Sequence, residues 1–555
     1  MHKPWLAQYP AGVGADIDVS RYDSLVALLN DAFSRFAERP ALRFLGASIT
    51  FAQVDEASSA FAAYLARAGV NRGDRVAIML PNLPQLVVAA AGALRAGAVV
   101  VNLDAQHEPA ALEQQLRDSG ARVIVAQRRD GERLQRFAQV KHARAVVLTA
   151  PGDMLGVARR AVVGSALRHL EGDVPPFELP AAVRFNAALA AGRGRAVAPP
   201  RLGLDDLALL QYSGGTTGPC KAAVLLHRNL VANVLQAGAW LQPALTRLAA
   251  GEQPQAACAV PLTRLYGFTA HLLLSLHIGA CQLLTGPVDD PTALLRGLSR
   301  RRVHLLSADA DGFEALLSHP GFERVDWSNL VLCTGACSPV PARTAERWVA
   351  RTGRAICEGY GLCEAGPLAV CQPVVDRAFA GSVGLPLPGT DVRLLDDAGA
   401  EVAPGQPGEV AIKGPQVMAG YWQRPELTAR VMTPDGYLRT GDVGTMDARG
   451  ALRIVDRKRD VIVVAGHPVF PSEVEAALGR MPGVRECAAV GVADTRQGEA
   501  VKLVIVRGDP ALAEPDVRSY CERHLTGHAR PRVVEFRDGL PRSRLGRVLR
   551  RELRT

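Results

Sequence analysis

Through the first 150 residues, short continuous apolar runs alternate with stretches whose apolar residues recur every three or four positions. Arg75–Leu80 (RVAIML), Val99–Leu103 (VVVNL) and Ala121–Ala126 (ARVIVA) predict strands buried on both faces. Leu83–Ala96 and Pro109–Ser119 predict the helices between them. Such alternation builds a mostly parallel sheet with helices on both sides. Residues 153–197 break the rhythm, with Arg159, Arg160 and Arg168 among small apolar residues and then a Pro-containing loop. They read as a solvated insertion, with a basic amphipathic helix against anionic lipid as the alternative.

The alternation resumes from Leu207 to Leu284. Val410–Lys413, Arg453–Val455 and Val461–Ala465 predict short strands among Gly and Pro turns. Beyond them come a helix at Pro471–Met481, strands at Ala488–Val492 and Lys502–Val506, and a helix at Asp516–Leu525. The charge run Asp456–Asp460 (DRKRD) reads as a boundary, leaving about 95 residues beyond it, enough for a small domain. The expected division is 1–456 and 457–555.

Composition narrows the class. With 48% hydrophobic and 21% charged residues in 555, the chain is a globular protein of more than one domain. It contains no apolar run of ~18 residues that would span a bilayer, and Met1–Pro10 lacks the pattern of a secretory signal. These features point to the cytoplasmic side, with peripheral contact at the inner face of the membrane as an addition. The net charge of +9 is spread along the chain and accompanied by no nucleic-acid motif, so nucleic acid is not an expected partner. Six of the 64 basic residues are Lys and 58 are Arg. The ten cysteines are too loosely spaced for a redox or zinc pattern.

The chemistry concentrates in Tyr212–Lys221 (YSGGTTGPCK), which follows the apolar run Leu207–Leu210. Gly214, Gly215 and Gly218 let the backbone curl close to a ligand and present its N–H groups. Ser213, Thr216 and Thr217 add hydroxyls, and Lys221, one of the rare lysines, adds a cation. The combination suits a triphosphate. It is not a Walker A loop, because no Gly precedes Lys221 and no Ser or Thr follows it.

This loop resembles the signature of the adenylate-forming superfamily of acyl-CoA synthetases, luciferases and peptide-synthetase adenylation domains. Further blocks follow in that family's order: Glu358–Pro367 (EGYGLCEAGP), Gly381–Thr390 (GSVGLPLPGT), Gly408–Tyr421 (GEVAIKGPQVMAGY), Tyr437–Gly444 (YLRTGDVG), Asp456–Glu475 (DRKRDVIVVAGHPVFPSEVE) and Leu540–Arg554 (LPRSRLGRVLRRELR). Together with the opening KPWLAQYP, their wording is most similar to bacterial long-chain fatty acid–CoA ligases.

The resemblance implies an α/β fold: a large N-terminal domain of helix-flanked sheets with a β-barrel-like part, plus a small mobile α+β C-terminal domain. It implies ATP, Mg²⁺ and CoA, and a two-step reaction. A fatty acid carboxylate attacks the α-phosphate to give acyl-AMP, and the CoA thiol then takes the acyl group. By the same resemblance Ser213–Lys221 cradles the phosphates, Glu364 holds Mg²⁺, and Tyr360 stacks on adenine beside Gly335 and Ala336. Gly361 and Cys363 adjoin the nucleotide, and Asp442 accepts the ribose hydroxyls beside Arg457. Arg547, Glu364, Lys221 and Thr216 act on the reacting phosphate. Arg459 is the hinge, Arg264 and Tyr266 stand at the acyl gate, and Gly466 lines the pantetheine tunnel.

Four positions depart from the family. Arg547 stands in place of a Lys, and a planar guanidinium does not replace a point charge conservatively. Arg264 replaces a His, Cys363 a Thr, and Ala222 a Gly. In addition, Ser307–Phe313 (SADADGF) puts Asp309 and Asp311 where an apolar tunnel is expected, and burying either one unpaired costs several kcal/mol. The leading expectation is a ligase for medium- to long-chain fatty acids. A ligase for another carboxylate or a carrier-protein thiol, and a catalytically weakened nucleotide- or acyl-binding relative with a regulatory role, stand beside it.

Overall fold

In the computed structural model the three apolar runs are neighbouring parallel strands. The structure describes residues 3–554 apart from 157, 158, 160, 166–173, 175, 180, 196, 197, 214–219, 286–289, 336, 375–380 and 543–547. Arg75–Met79 lies between Val99–Asn102 and Val123–Gln127, with Val76 opposite both Val100 and Val123. All of Val99–Asn102 is buried, as a parallel strand covered on both faces requires. The whole sheet has eight strands, in the order Gly420–Tyr421, Lys221–Leu226, Leu207–Ser213, Val99–Asn102, Arg75–Met79, Val123–Gln127, Ala145–Thr149, Ala182–Arg184. Helices Pro84–Arg95 and Pro109–Ser119 both open on Pro at the first position, where a missing N–H costs nothing. Helix Phe51–Arg67 opens on a capping box, Thr50 and Gln53 each bonding the other's backbone N–H.

A second sheet of nine strands runs Leu385–Pro386, Val370–Cys371, Ile356–Tyr360, Leu332–Gly335, Leu305–Ala308, Gln255–Ala259, Cys281–Leu284, Pro40–Phe44, Ala47–Thr50. Its core is aromatic, with Phe313, Phe322, Trp327 and Trp348 packed ring to ring at centroid distances of 4.8–5.7 Å.

The insertion expected at 153–197 is not solvated throughout. Ala182–Arg184 extends the eight-stranded sheet parallel to Ala145–Thr149. Helix Phe185–Gly192 buries Phe185, stacked on Phe61 at 5.5 Å. Arg159 is exposed; Arg160 and Arg168 lie outside the described residues.

By its contacts the chain forms two compact units, 1–391 with 412–438, and 392–411 with 439–555. The sequence boundary at 456/457 falls inside the second unit, at the end of strand Leu452–Arg457. The second unit holds most of a four-stranded sheet, in the order Asp391–Leu395, Gly408–Lys413, Leu438–Met446, Leu452–Arg457. This sheet is open, and no closed barrel forms among the described residues, so the barrel-like part expected from the resemblance is an open sheet here. A separate sheet pairs the long strands Val484–Asp494 and Gly498–Arg507 in antiparallel register, with Ile462–Val464, His467–Val469 and Val533–Arg537 beside them. Helices Pro471–Leu478 and Glu514–His524 complete the α+β arrangement.

Candidate active site

Strands Leu207–Ser213 and Lys221–Leu226 are antiparallel, and Ser213 sits opposite Lys221. The register brings the two ends of the Gly/Thr loop together. Gly214, Gly215, Thr216, Thr217 and Gly218 lie outside the described residues. The strand before the loop is anchored by Tyr212, whose hydroxyl donates to Asp118 Oδ2 at 2.8 Å. Ala222, where the family carries Gly, is fully buried in the apolar core, and its carbonyl accepts the Trp422 N–H at 2.9 Å. Its methyl therefore fills core space.

Lys221 belongs to a three-membered cluster. Its ammonium donates to the Tyr421 hydroxyl at 2.7 Å and lies 3.5 Å from Glu364 Oε1, while Tyr421 donates to the same Glu364 oxygen at 2.8 Å. The register explains the meeting: Tyr421 is opposite Ala223, so it is the diagonal cross-strand neighbour of Lys221. Lys221 Nζ also stands 4.2 Å from the Tyr421 ring centroid, a cation–π contact. Glu364 is buried in the turn Cys363–Ala365, and its carbonyl accepts the Met418 N–H at 2.9 Å. Burial, and then the Glu364 charge, push the Tyr421 phenol well above its ordinary range, so it stays a donor.

Tyr360 ends strand Ile356–Tyr360, in register with Val370. Gly361 follows it in a passage that only Gly fits, since a Cβ there would stand 2.6 Å from the Pro367 carbonyl oxygen. Gly335 ends the neighbouring strand opposite Glu358, and Ala336 lies outside the described residues. Burial, then the adjacent Glu364 charge, push the Cys363 thiol far up, so it is neutral and a weak donor at most.

Arg264 makes two long ion pairs, its Nε 3.9 Å from Asp104 Oδ2 and its Nη1 3.8 Å from Asp309 Oδ2. Asp309 also caps helix Ala310–Ser318 by accepting the Gly312 N–H at 2.9 Å. Asp311 is exposed. Neither carboxylate is among the residues lining the nearby cavity. That cavity, about 50 Å³, lies between helix His227–Leu245, the segment Tyr266–Leu273 and the central strands of the nine-stranded sheet. Tyr266, Trp240, Leu241, Leu274 and Ile278 are part of its wall.

In the second unit, Asp442 and Arg457 are paired in register on adjacent strands, with Arg457 Nε 3.6 Å from Asp442 Oδ1. Asp442 is buried and its N–H donates to Thr440 Oγ1 at 3.1 Å. Glu409 organises the approach to Arg459. It accepts from Arg439 at 2.6 Å and from Lys458 at 3.0 Å, and Lys458 also reaches Asp397 at 2.8 Å. Burial works to raise the Glu409 pKa, but these two cations outweigh it and hold the carboxyl below its usual value. Arg459 is in the turn Lys458–Asp460, and its carbonyl accepts from Arg554. Ala465 and Gly466, at φ 48° and 80°, form the two-residue turn between Ile462–Val464 and His467–Val469, the geometry of a type I′ hairpin. Arg547 lies outside the described residues, but the chain on either side of 543–547 is clamped. Arg542 bridges Val548, and the Leu549 N–H donates to the Pro541 carbonyl at 2.8 Å. Arg550 then holds Glu475 through two contacts of 2.9 and 2.8 Å.

Two residues of this machinery were not singled out from the sequence, Tyr421 and Glu409. Both lie inside the motif Gly408–Tyr421, one near each end, so the signal was present as a block but not as a role.

The model of the AMP-binding enzyme family matches residues 29–422, and that of the AMP-binding enzyme C-terminal domain matches residues 473–547. A long-chain-fatty-acid–CoA ligase from Escherichia coli O6:H1 is 44% identical over 556 residues, covering 100% of this chain and 98% of that protein. A feruloyl-CoA synthase from Amycolatopsis sp is 36% identical, covering 93% of this chain and 95% of that protein. Among solved structures, ATP-bound MatB from Rhodopseudomonas palustris superposes with a TM-score of 0.78 at 27% identity, over 95% of this chain and 98% of that one.

Proposed function

The chain belongs to the AMP-binding enzyme family, and from that premise we propose that it is an ATP-dependent acyl-CoA ligase. It activates a medium- to long-chain fatty acid as acyl-AMP and passes the acyl group to CoA. The observation that carries this reading is the cluster of Lys221, Tyr421 and Glu364 beside the closed ends of the Gly/Thr loop.

In the first half-reaction a carboxylate approaches an anionic phosphate, so cations and N–H donors must offset the repulsion. Lys221, the hydroxyls of Ser213, Thr216 and Thr217, and the backbone N–H groups of Gly214, Gly215 and Gly218 supply them. Among the described residues no group of three or more His, Cys, Asp or Glu side chains converges on one point. A single carboxylate, Glu364, fits Mg²⁺ brought in with a triphosphate, since that ion takes one or two protein carboxylates and completes its shell with phosphate oxygens and water. When bound, Mg²⁺ neutralises charge developing on the phosphates. Tyr360 stacks on adenine against Gly335, Gly361, Ala336 and Cys363. Asp442 takes the ribose hydroxyls, with Arg457 beside it. Arg547 supplies the last cation. Arg459 is the pivot about which 457–555 exchanges the two half-reactions, and Gly466 borders the pantetheine path.

The acyl chain is assigned to the cavity behind Tyr266, with Arg264 near its mouth. A cavity of about 50 Å³ is far below the ~300–1,000 Å³ of ordinary ligand sites, so a long chain enters by turning lining side chains aside. The described residues contain no helix long and apolar enough to cross a membrane; we assign the enzyme to the cytoplasm with peripheral contact at the membrane face, where its substrate partitions.

The departure at Arg547 favours a second reading, a weakened relative that binds nucleotide without efficient adenylation. Purified protein with ATP, Mg²⁺, palmitate and CoA separates the two. The ligase reading expects robust thioester formation in the wild type and no large gain in Arg547→Lys. A near-zero wild type rescued by that substitution overturns it. Parallel assays with a carrier-protein thiol identify the acceptor.

A further inference from the structure

The stretch that leads into Arg264 and Tyr266 leaves the nine-stranded sheet after Gln255–Ala259, and its Val260, Leu262 and Thr263 are buried. Its backbone is fastened by carboxamides that belong to the eight-stranded sheet and its first connection. Asn82, between strand Arg75–Met79 and helix Pro84–Arg95, donates from Nδ2 to the Val260 carbonyl at 3.0 Å and accepts the Leu262 N–H on Oδ1 at 2.7 Å. The two bonds straddle Pro261 and fix the orientation of the amide, because the flipped amide would set donor against donor and acceptor against acceptor. One position further, the Thr263 carbonyl accepts from Gln211 Nε2 at 3.3 Å. Asn102, in register with Gln211, donates to Gln211 Oε1 at 3.4 Å. Asn82 is 2% exposed. A carboxamide buried that deeply is a liability unless it is bonded, and here both of its groups are spent on a backbone about 180 positions away.

Pro261 passes the restraint on. Its carbonyl accepts the Arg264 N–H at 3.0 Å, and the Arg264 carbonyl accepts the Phe268 N–H at 2.8 Å. The same Pro261 oxygen lies against Gly267, where a Cβ would stand 2.4 Å from it. The first turn of the π-helical segment Tyr266–Leu273 therefore rests directly on the fastened stretch. At its start the Tyr266 hydroxyl donates to Thr334 Oγ1 at 2.8 Å, one residue before Gly335. A backbone shift at Pro261 thus moves Arg264 and Tyr266 together. Attack on a phosphate tolerates little of that, since a displacement of about 1 Å at the reacting atoms can cost on the order of a hundredfold in rate.

Resting on the ligase reading, we propose that Asn82 is a positioning residue of the adenylation step. By holding both sides of Pro261 it sets Arg264 and Tyr266 where the carboxylate of the acid meets the nucleotide, and Gln211 is its second support.

The test separates the two half-reactions in wild type and Asn82→Ala. Palmitate-dependent ATP–pyrophosphate exchange is expected to fall roughly 10- to 100-fold in the variant. The KM for palmitate should rise while that for ATP stays within about twofold of wild type. Thioester formation from supplied palmitoyl-AMP and CoA should also stay within about twofold, because the acyl–phosphate bond already fixes the carbonyl. A merely structural role would lower both half-reactions in the same proportion, through the fraction of folded enzyme. Equal losses in the two, or pyrophosphate exchange close to wild type, overturn the proposal. Hydrogen–deuterium exchange across 260–268 reads the hold without turnover: it should quicken in Asn82→Ala, and unchanged protection there defeats the proposal as well. Wild type silent with every acid defeats the ligase reading instead, and the deuterium uptake of 260–268 tells the two failures apart. Should Asn82→Ala fail to fold, Gln211→Met, close in size and lacking the donor, is expected to lower pyrophosphate exchange by at least about threefold with the thioester step spared; equal losses in that variant count against the proposal.

Discussion

Tyr421 and Glu364, 57 positions apart in the chain, share a 2.8 Å hydrogen bond in which the phenol donates to a buried carboxylate already 3.5 Å from Lys221. The phenol thus ties together the cation and the anion on which the proposed chemistry depends.

Tyr421→Phe keeps the ring beneath Lys221 and removes only the hydroxyl. Hydrogen bonds to charged groups contribute about 1.5–3 kcal/mol, so fatty-acid-dependent ATP–pyrophosphate exchange is expected to fall by roughly 10- to 100-fold. Circular dichroism should be unchanged. An exchange rate equal to wild type would show that the hydroxyl only fills space.

Glu364→Gln retains the Tyr421 contact and removes the charge. The Mg²⁺ concentration for half-maximal exchange is expected to rise on the order of tenfold or more. A titration curve that coincides with wild type removes Glu364 from metal binding.

Acid sensitivity of the first unit should trace partly to His227. Its Nδ1 accepts the Leu25 N–H at 3.1 Å, a bond that only the neutral ring can accept in this way. Burial pushes the pKa from 6.5 to about 4. Between those values the unfolded chain takes up the proton and the folded chain does not, so stability is lost as pH falls from 6.5 towards 4. His227→Asn supplies an amide oxygen as acceptor and does not titrate. The melting temperature of that variant should fall less steeply between pH 6.5 and 4.5, and identical slopes would assign the sensitivity elsewhere.

Asp309 both caps a helix and faces Arg264. Asp309→Ala should cost about 1 kcal/mol in urea unfolding, and Asp309→Asn, which still caps, much less. Equal losses in the two variants would make the charge the important part.

Arg550→Met leaves the Glu475 carboxylate, largely buried, without its two contacts. A cost of about 1–3 kcal/mol is expected, with faster hydrogen exchange across 548–554. Exchange unchanged there would mean that the tail is held by other contacts.

The strands at 75–79, 99–102 and 123–127 and the helix at Pro109–Ser119 were legible because burial on both faces and helical periodicity are written into consecutive residues. In the last segment the strands are longer than expected, Val484–Asp494 and Gly498–Arg507, because an antiparallel pair keeps its ladder beyond its apolar centre. Ala182–Arg184 was not legible: two exposed residues around a half-buried Val183 carry no pattern, and only pairing with the edge of Ala145–Thr149 makes them a strand.

For the site, residue order alone determined the family blocks and the presence of Lys221, Glu364 and Asp442 within them, since a motif is a local string of residue types. Tertiary structure alone decided that Tyr421 reaches Lys221 across 200 positions, that Arg264 stands between Asp104 and Asp309, and that Asn82 bonds the backbone on both sides of Pro261. Hydrogen bonds and ion pairs act over a few ångströms of space, and chain separation says nothing about that distance until the sheets set their register.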